Sequence, residues 1–132
     1  MAATYKIIYK NHCTPQEEVD FVGGSRWYLD SDCGRKLTGE ASITLAGDRT
    51  YVSNLAVTAT PSAALTSTSD FLYIKNTGGG SGDDVLITVD DSEYNIILSE
   101  GEVFASKIEE ATVAKVKCAA SEDSTIEYFV GT

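Results

Sequence analysis

The sequence predicts an all-β fold: an antiparallel β-sandwich, jelly-roll-like, in a single domain over residues 1–132. Three kinds of observation lead there. Apolar residues recur with a period of two and almost nowhere with the helical period of about 3.6. The apolar runs are short and rich in β-branched and aromatic residues, which suit a pleated surface. Turn-forming residues separate them about every 8 to 12 positions, the spacing of sandwiches and jelly rolls.

Residues 1–10 read as a first strand or an N-terminal arm, with Tyr5, Ile7 and Tyr9 on one face and Thr4, Lys6, Ile8 and Lys10 on the other. Asn11 to Asp20, which contains Pro15, reads as a polar stretch. Phe21-Val22 then meets Gly23-Gly24, a pair able to supply the positive φ of a tight turn, and Arg26 to Leu29 follow as a short aromatic strand. After a polar loop at Ser31 to Lys36, Ala41, Ile43 and Leu45 alternate with Ser42 and Thr44 up to the Ala46-Gly47-Asp48 turn. Tyr51 to Thr60 is the next strand, and Pro61 stops it because proline has no ladder donor. Residues 58–70 form a polar connection with room for a short helix at Pro61 to Leu65.

The second half is more regular. Strands are expected at Phe71 to Asn76, Val85 to Asp90, Glu93 to Leu98, Glu102 to Ser106, Thr112 to Cys118 and Thr125 to Val130. The Phe71 and Val85 strands carry apolar residues on both faces, so they are expected to be central strands or covered on both sides, the second cover being a partner subunit.

Twenty acidic residues against ten basic ones give a net charge of -10, which repels a phosphate backbone and an anionic lipid surface and excludes nucleic acid as a partner. No run approaches the roughly 18 apolar residues that a membrane span needs. The opening residues are interrupted at Thr4 and Lys6 and lack the apolar centre of a secretory signal, so the chain is expected to be made and used without Sec export. Cys13, Cys33 and Cys118 are odd in number and widely spaced, which predicts reduced, mostly buried thiols.

Residue types that could carry chemistry are sparse. His12 and Cys13 are adjacent, so on a strand they point to opposite faces and make no dyad. Zinc lacks a Cys-x-x-Cys pair. Asp30-Ser-Asp32-Cys-Gly34 begins like a calcium loop, but the glycine falls one place early and no twelfth-position carboxylate follows. Asp83, Asp84, Asp90, Asp91 and Glu93 are a weak calcium candidate beside their reading as a solvated acidic rim. Gly78 to Gly82 lacks the Lys-Ser/Thr of a phosphate loop and reads as a hairpin end. Trp27-Tyr28 is the best sugar-binding candidate, although alternation is expected to bury Trp27 and expose Tyr28 as ordinary sandwich residues. No catalytic, cofactor-binding or metal-ligating residue is assigned, and no cofactor or small-molecule substrate is expected.

Residues 70 to 130 resemble small tailed-phage virion proteins. The likeness lies in Phe71-Leu-Tyr-Ile-Lys-Asn-Thr-Gly78, Val85-Leu-Ile-Thr-Val-Asp90, Tyr94 to Leu98, Ser99-Glu-Gly-Glu-Val-Phe104, Val113 to Lys117 and Thr125-Ile-Glu-Tyr128. Within that class the chain is most similar to capsid decoration (cement) proteins, which are small, acidic, all-β and free of cofactors. The resemblance implies a non-enzymatic protein on the outer capsid surface of the virion, with the major capsid protein and copies of itself, as a trimer, for partners. It further implies that the protein bridges and stabilises neighbouring capsid subunits, with Ala2 to Lys10 as an arm that adds a strand to a neighbour's sheet edge. A tail, neck or fibre-attachment module and a carbohydrate-binding adhesion module are the alternatives.

Overall fold

The computed structural model describes residues 4–60, 62–65, 70–79, 84–108 and 114–132. No helix occurs among them, and the strands run in chain order as β1 (Tyr5–Cys13), β2 (Gln16–Phe21), β3 (Gly24–Leu29), β4 (Leu37–Leu45), β5 (Arg49–Thr58) and β6 (Ala63–Ala64). They continue as β7 (Phe71–Asn76), β8 (Val85–Thr88), β9 (Ile96–Leu98), β10 (Val103–Lys107), β11 (Lys115–Cys118) and β12 (Asp123–Gly131). The chain packs as two compact units, Lys6–Thr44 and Leu45–Thr132, the latter including Tyr5.

The larger unit is an antiparallel sandwich of two four-stranded sheets, ordered β10-β7-β12-β5 and β6-β11-β8-β9. Its pairing is nested: β5 pairs with β12, β6 with β11, β7 with β10 and β8 with β9. The eight strands are thus one long hairpin folded over so that successive pairs alternate between sheets, which is the jelly roll the alternation predicts. The strands expected to be central are central: β7 lies between β10 and β12, and β8 between β11 and β9.

Period-two alternation builds the core. One sheet turns Val57, Leu72, Ile74, Ile126, Tyr128 and Val130 inward, and the other answers with Val85, Ile87, Leu98, Val116 and Cys118. Each such side chain removed from water contributes about 1.5–3 kcal/mol relative to an exposed one. Asn76, Thr88 and Ser124 are the buried polar residues among those described. Asn76 is fully buried and stitches three strands together, donating to the Leu98 carbonyl at 2.8 Å and accepting from Ser124 Oγ at 2.7 Å and the Gly78 amide at 2.9 Å.

Several local expectations are corrected. The short helix at Pro61 to Leu65 is not formed where the chain is described: Ala63–Ala64 is a strand against β11, and Leu65, bonded to the Ala114 carbonyl, is a core residue. Pro61 itself lies outside the described residues, as do Met1 to Ala3 of the arm, Gly80 to Gly82 of the glycine run, and the start of the Thr112 strand. The strand expected from Glu93 begins only at Ile96. The Asp90 carboxylate captures the hydroxyl of Thr88 and the amides of Ser92 and Glu93, and Asp91 takes a left-handed φ of 58°, so side-chain bonds turn the chain there before the ladder resumes.

The Lys6–Thr44 unit holds two ladders. β2 and β3 form an antiparallel hairpin closed by the Phe21–Gly24 pair. Its turn residue Gly23 has φ +99°, a value that excludes almost every side chain. β1 and β4 are hydrogen-bonded neighbours in a second ladder, and Lys10 meets Glu40 at 3.5 Å. Two strands run past the bounds the sequence suggests, β1 ending at Cys13 and β4 starting at Leu37, and β2 occupies half of the Asn11 to Asp20 stretch expected to be plain polar chain.

Candidate interaction surface

The residue types that suggested chemistry are scattered or already engaged. His12 and Cys13 are both exposed on β1, and His12 Nε2 meets the Thr14 hydroxyl at 3.2 Å. A shallow depression of about 410 Å³ beside them is lined by Leu37, Thr38 and Gly39 of β4. Asp30 accepts from the Asp32 amide, closing its own turn. In the acidic region Asp84 accepts from Ser99 Oγ at 2.8 Å, and Asp91 forms an ion pair with Lys115 at 2.6 Å. The Thr88 hydroxyl and the Ser92 and Glu93 amides hold Asp90 below its ordinary pKa, and Asp91 raises that of Lys115. Asp83 is outside the described residues. Among the described residues no three His, Cys, Asp or Glu side chains gather as a metal site.

The thiols depart from expectation. Cys118 alone is buried, its sulfur donating to the Val57 carbonyl, and burial pushes its pKa up. Cys13 is exposed and Cys33 half-buried, because the unit that carries them has no interior.

That missing interior is the main finding. No residue of Lys6–Thr44 is buried, whereas the sandwich has a closed core. Eleven large apolar residues are exposed in the described chain, and eight of them, Ile8, Val19, Phe21, Val22, Trp27, Tyr28, Leu29 and Leu37, belong to this unit. Trp27 is 61% exposed, which corrects the expectation that alternation buries it. The hairpin register explains why: Trp27 pairs with Glu18 on one face and Tyr28 with Glu17 on the other, and neither face has a layer against it. Arg26 covers part of one face, its guanidinium 5.5 Å from the Phe21 ring centre. Trp27 and Tyr28 therefore do not form one aromatic platform.

Charge divides along the same line. Of the 20 acidic and 10 basic residues, positions 6–44 hold six and five, and positions 45–132 hold fourteen and five. The net charge of -10 is thus -1 on the coreless unit and -9 on the sandwich.

The sandwich has a second distinctive surface, the outer face of the β10-β7-β12-β5 sheet. Register aligns Ala105, Tyr73, Phe129 and Tyr51 in one row across it. In the row above, Lys75 lies between Val103 and Glu127. Lys107 and Arg49 occupy the two edges of the row below. The Glu127 carboxylate accepts from Tyr51 at 2.5 Å and Tyr73 at 3.0 Å, which holds its pKa below the usual value and raises that of Tyr51, while burial and then the same carboxylate raise that of Tyr73. Arg49 stacks on the Tyr5 ring at 4.7 Å, and the Tyr5 hydroxyl donates to the Asp48 and Thr132 carbonyls.

The Lys6–Thr44 unit was not recognisable in the sequence as a surface, since alternation marks which residues share a side and not whether anything covers it; of the outer sheet face, the sequence showed the second apolar side of the Phe71 strand. The low net charge of residues 6–44 was the one signal available for that unit. No family model, curated protein or solved structure matches this chain.

Proposed function

We propose that this chain is a non-enzymatic structural protein of a tailed-phage virion, a capsid decoration protein that lies on the outer shell and bridges neighbouring major capsid protein subunits. The observation that carries the reading is the coreless Lys6–Thr44 unit with its eight exposed large apolar residues. Strands that expose aromatic and aliphatic side chains on both faces lack the burial that stabilises folded chains, and contact with a large partner surface supplies it. One side of a stable interface takes roughly 20–30 residues, a number this unit can furnish.

The charge map supports the same orientation. A unit of net charge -1 meets the shell by apolar burial, while the sandwich at -9 faces solvent and resists unspecific aggregation of particles. The resemblance of residues 70 to 130 to virion proteins supplies the identity of the partner. The adhesion alternative is weakened by Trp27 and Tyr28 standing on opposite faces of the hairpin.

The test is to purify virions of the phage encoding the chain, count its copies by quantitative mass spectrometry and image the particles by electron cryo-microscopy. Density over capsomer junctions in copy numbers set by icosahedral symmetry is the expected result. A single ring of six or twelve copies would move the protein to the tail or neck, and absence from purified virions would overturn the proposal.

A further inference from the structure

We propose that the outer face of the β10-β7-β12-β5 sheet is a contact surface for a second copy of this chain, which meets it with the carboxylate-bearing turns at one end of its own sandwich. This names the surface by which copies on the proposed particle would touch. It is independent of how the coreless unit is used.

The first half of the argument is where the sandwich keeps its cations. All five Lys and Arg residues of positions 45–132 stand on strands, and Arg49, Lys75 and Lys107 share this one face with two carboxylates, Glu127 and, at the start of β12, Asp123. The Glu127 carboxylate is held by two tyrosine hydroxyls. The face is therefore locally positive on a strongly acidic body. It is also partly apolar at both edges, where Tyr51 is 58% and Val103 49% exposed. A positive, aromatic patch of this kind fits an acidic protein surface with some apolar content.

The second half is that the chain itself carries such a surface. The turn at 99–102 is tied to β7 by Gly101 N–H donating to the Asn76 carbonyl, and the chain after β7 is tied to β12 by Thr77 N–H donating to the Thr125 carbonyl. These bonds gather Asp84, Glu100, Glu102 and Glu122 at one end of the sandwich, and the described turns there contain no Lys or Arg. A face on one copy against an end on another is a heterologous contact, which closes into a ring when its rotation allows. Charge complementarity fixes the register of such a contact, since a face-to-face or end-to-end arrangement would set like charges against each other.

The experiment uses the purified full-length chain in sedimentation velocity runs up to about 100 µM, without capsids. The wild type is expected to form one discrete oligomer. Lys75→Glu with Lys107→Glu, and separately Glu100→Lys with Glu122→Lys, are each expected to shift the association constant down by about 10-fold or more, the scale of a lost close charge pair. The chain carrying all four substitutions is expected to regain association, because its face and end are complementary again with the signs exchanged. Circular dichroism checks that each variant keeps its strands, and Lys75→Gln with Lys107→Gln, expected to weaken association in the same direction, replaces any reversal that unfolds. A monomeric wild type, full association in either reversed pair, or no recovery in the fourfold variant would each overturn the contact. None of these results bears on binding to the capsid, which is read separately from virions.

Discussion

Tyr51 donates its hydroxyl to the Glu127 carboxylate at 2.5 Å from a strand whose register slips beside it. Val52 pairs with Tyr128 and Leu55 with Ile126, so Ser53 and Asn54 together stand opposite Glu127 alone. The bulge bends the edge strand β5 and opens the space through which the tyrosine reaches diagonally. It also interrupts an edge of ten residues that would otherwise offer a long regular template to another strand.

The Glu127 cluster predicts how stability varies with pH. Glu127 and Asp90 lie below their ordinary values of 4.5 and 3.8, so their contribution is present above those values and is lost as pH falls through the folded ones. Tyr51 and Tyr73 lie above 10.0, so their contribution is present below that value and is lost as pH rises through the folded ones. Urea midpoints are expected to be flat from about pH 5.5 to 9 and to fall on both sides. In Glu127→Gln the acid limb becomes shallower; a limb of unchanged slope would show that the tyrosine bonds do not operate in solution.

Asn76 is the polar residue whose loss should cost most. Asn76→Leu strands the Leu98 carbonyl, the Gly78 amide and the Ser124 hydroxyl in a dry layer, and about 2–4 kcal/mol of unfolding free energy is the expected loss. Ser124→Ala removes one of those bonds and is expected to cost about 1 kcal/mol. Adding Ser124→Ala to Asn76→Leu should then cost less than in the wild type. Strict additivity in that cycle would contradict a shared network.

Thiol labelling should report the two units separately. Cys13 is expected to react with a disulfide reagent first, Cys33 more slowly, and Cys118 only at the rate of global unfolding, because it is buried and its thiolate is disfavoured. Three equal rates would mean that the sandwich opens as readily as the coreless unit.

Two glycines make a paired test. A Cβ on Gly47 would lie 2.5 Å from Thr132 Oγ1 and 2.6 Å from its carbonyl oxygen, so Gly47→Ala is expected to destabilise by about 1–3 kcal/mol. A Cβ on Gly39 in β4 meets nothing within 4 Å, and Gly39→Ala is expected to be neutral or slightly stabilising. Thermal melts of both variants decide it.

Phe21→Ser and Trp27→Ser should separate binding from folding. Both side chains are exposed, so the melting temperature of the sandwich is expected to stay within a degree or two. On the proposed function, occupancy on capsids should fall at least about 10-fold, since aromatic residues of this kind dominate interface energies. Unchanged occupancy in both would remove the coreless unit from the capsid contact.

Much of the fold was legible because alternation encodes which residues share a side. Phe71 to Asn76 is a strand with those bounds, and the apolar character of both its faces marked it as central. What alternation does not encode is the partner. The nested order of the strands depends on pairings between residues far apart in sequence, and nothing local distinguishes Ile126, which meets a core, from Ile8, which meets solvent. Trp27 shows the same limit from the other side, since an apolar residue on an alternating strand is expected inside only when there is an inside. β2 was hidden because Gln16-Glu-Glu-Val-Asp20 carries no apolar stripe, and none is needed in a strand that packs on nothing.

The nested pairing also sets a clock. β5 must wait for β12, with 65 residues separating Thr58 from Asp123 and 82 separating Arg49 from Gly131. At about 5–20 residues per second on the ribosome, that is roughly 3 to 16 seconds during which one sheet of the sandwich has no means of closing. Folding is therefore a late, concerted event dominated by distant contacts, of the slow kind typical of β-sandwiches. On the proposed reading as a decoration protein used in many copies, the chain would thus be released with its apolar strands still unsatisfied, and host chaperone capacity, more than the rate of its synthesis, would limit how quickly assembly-ready copies accumulate.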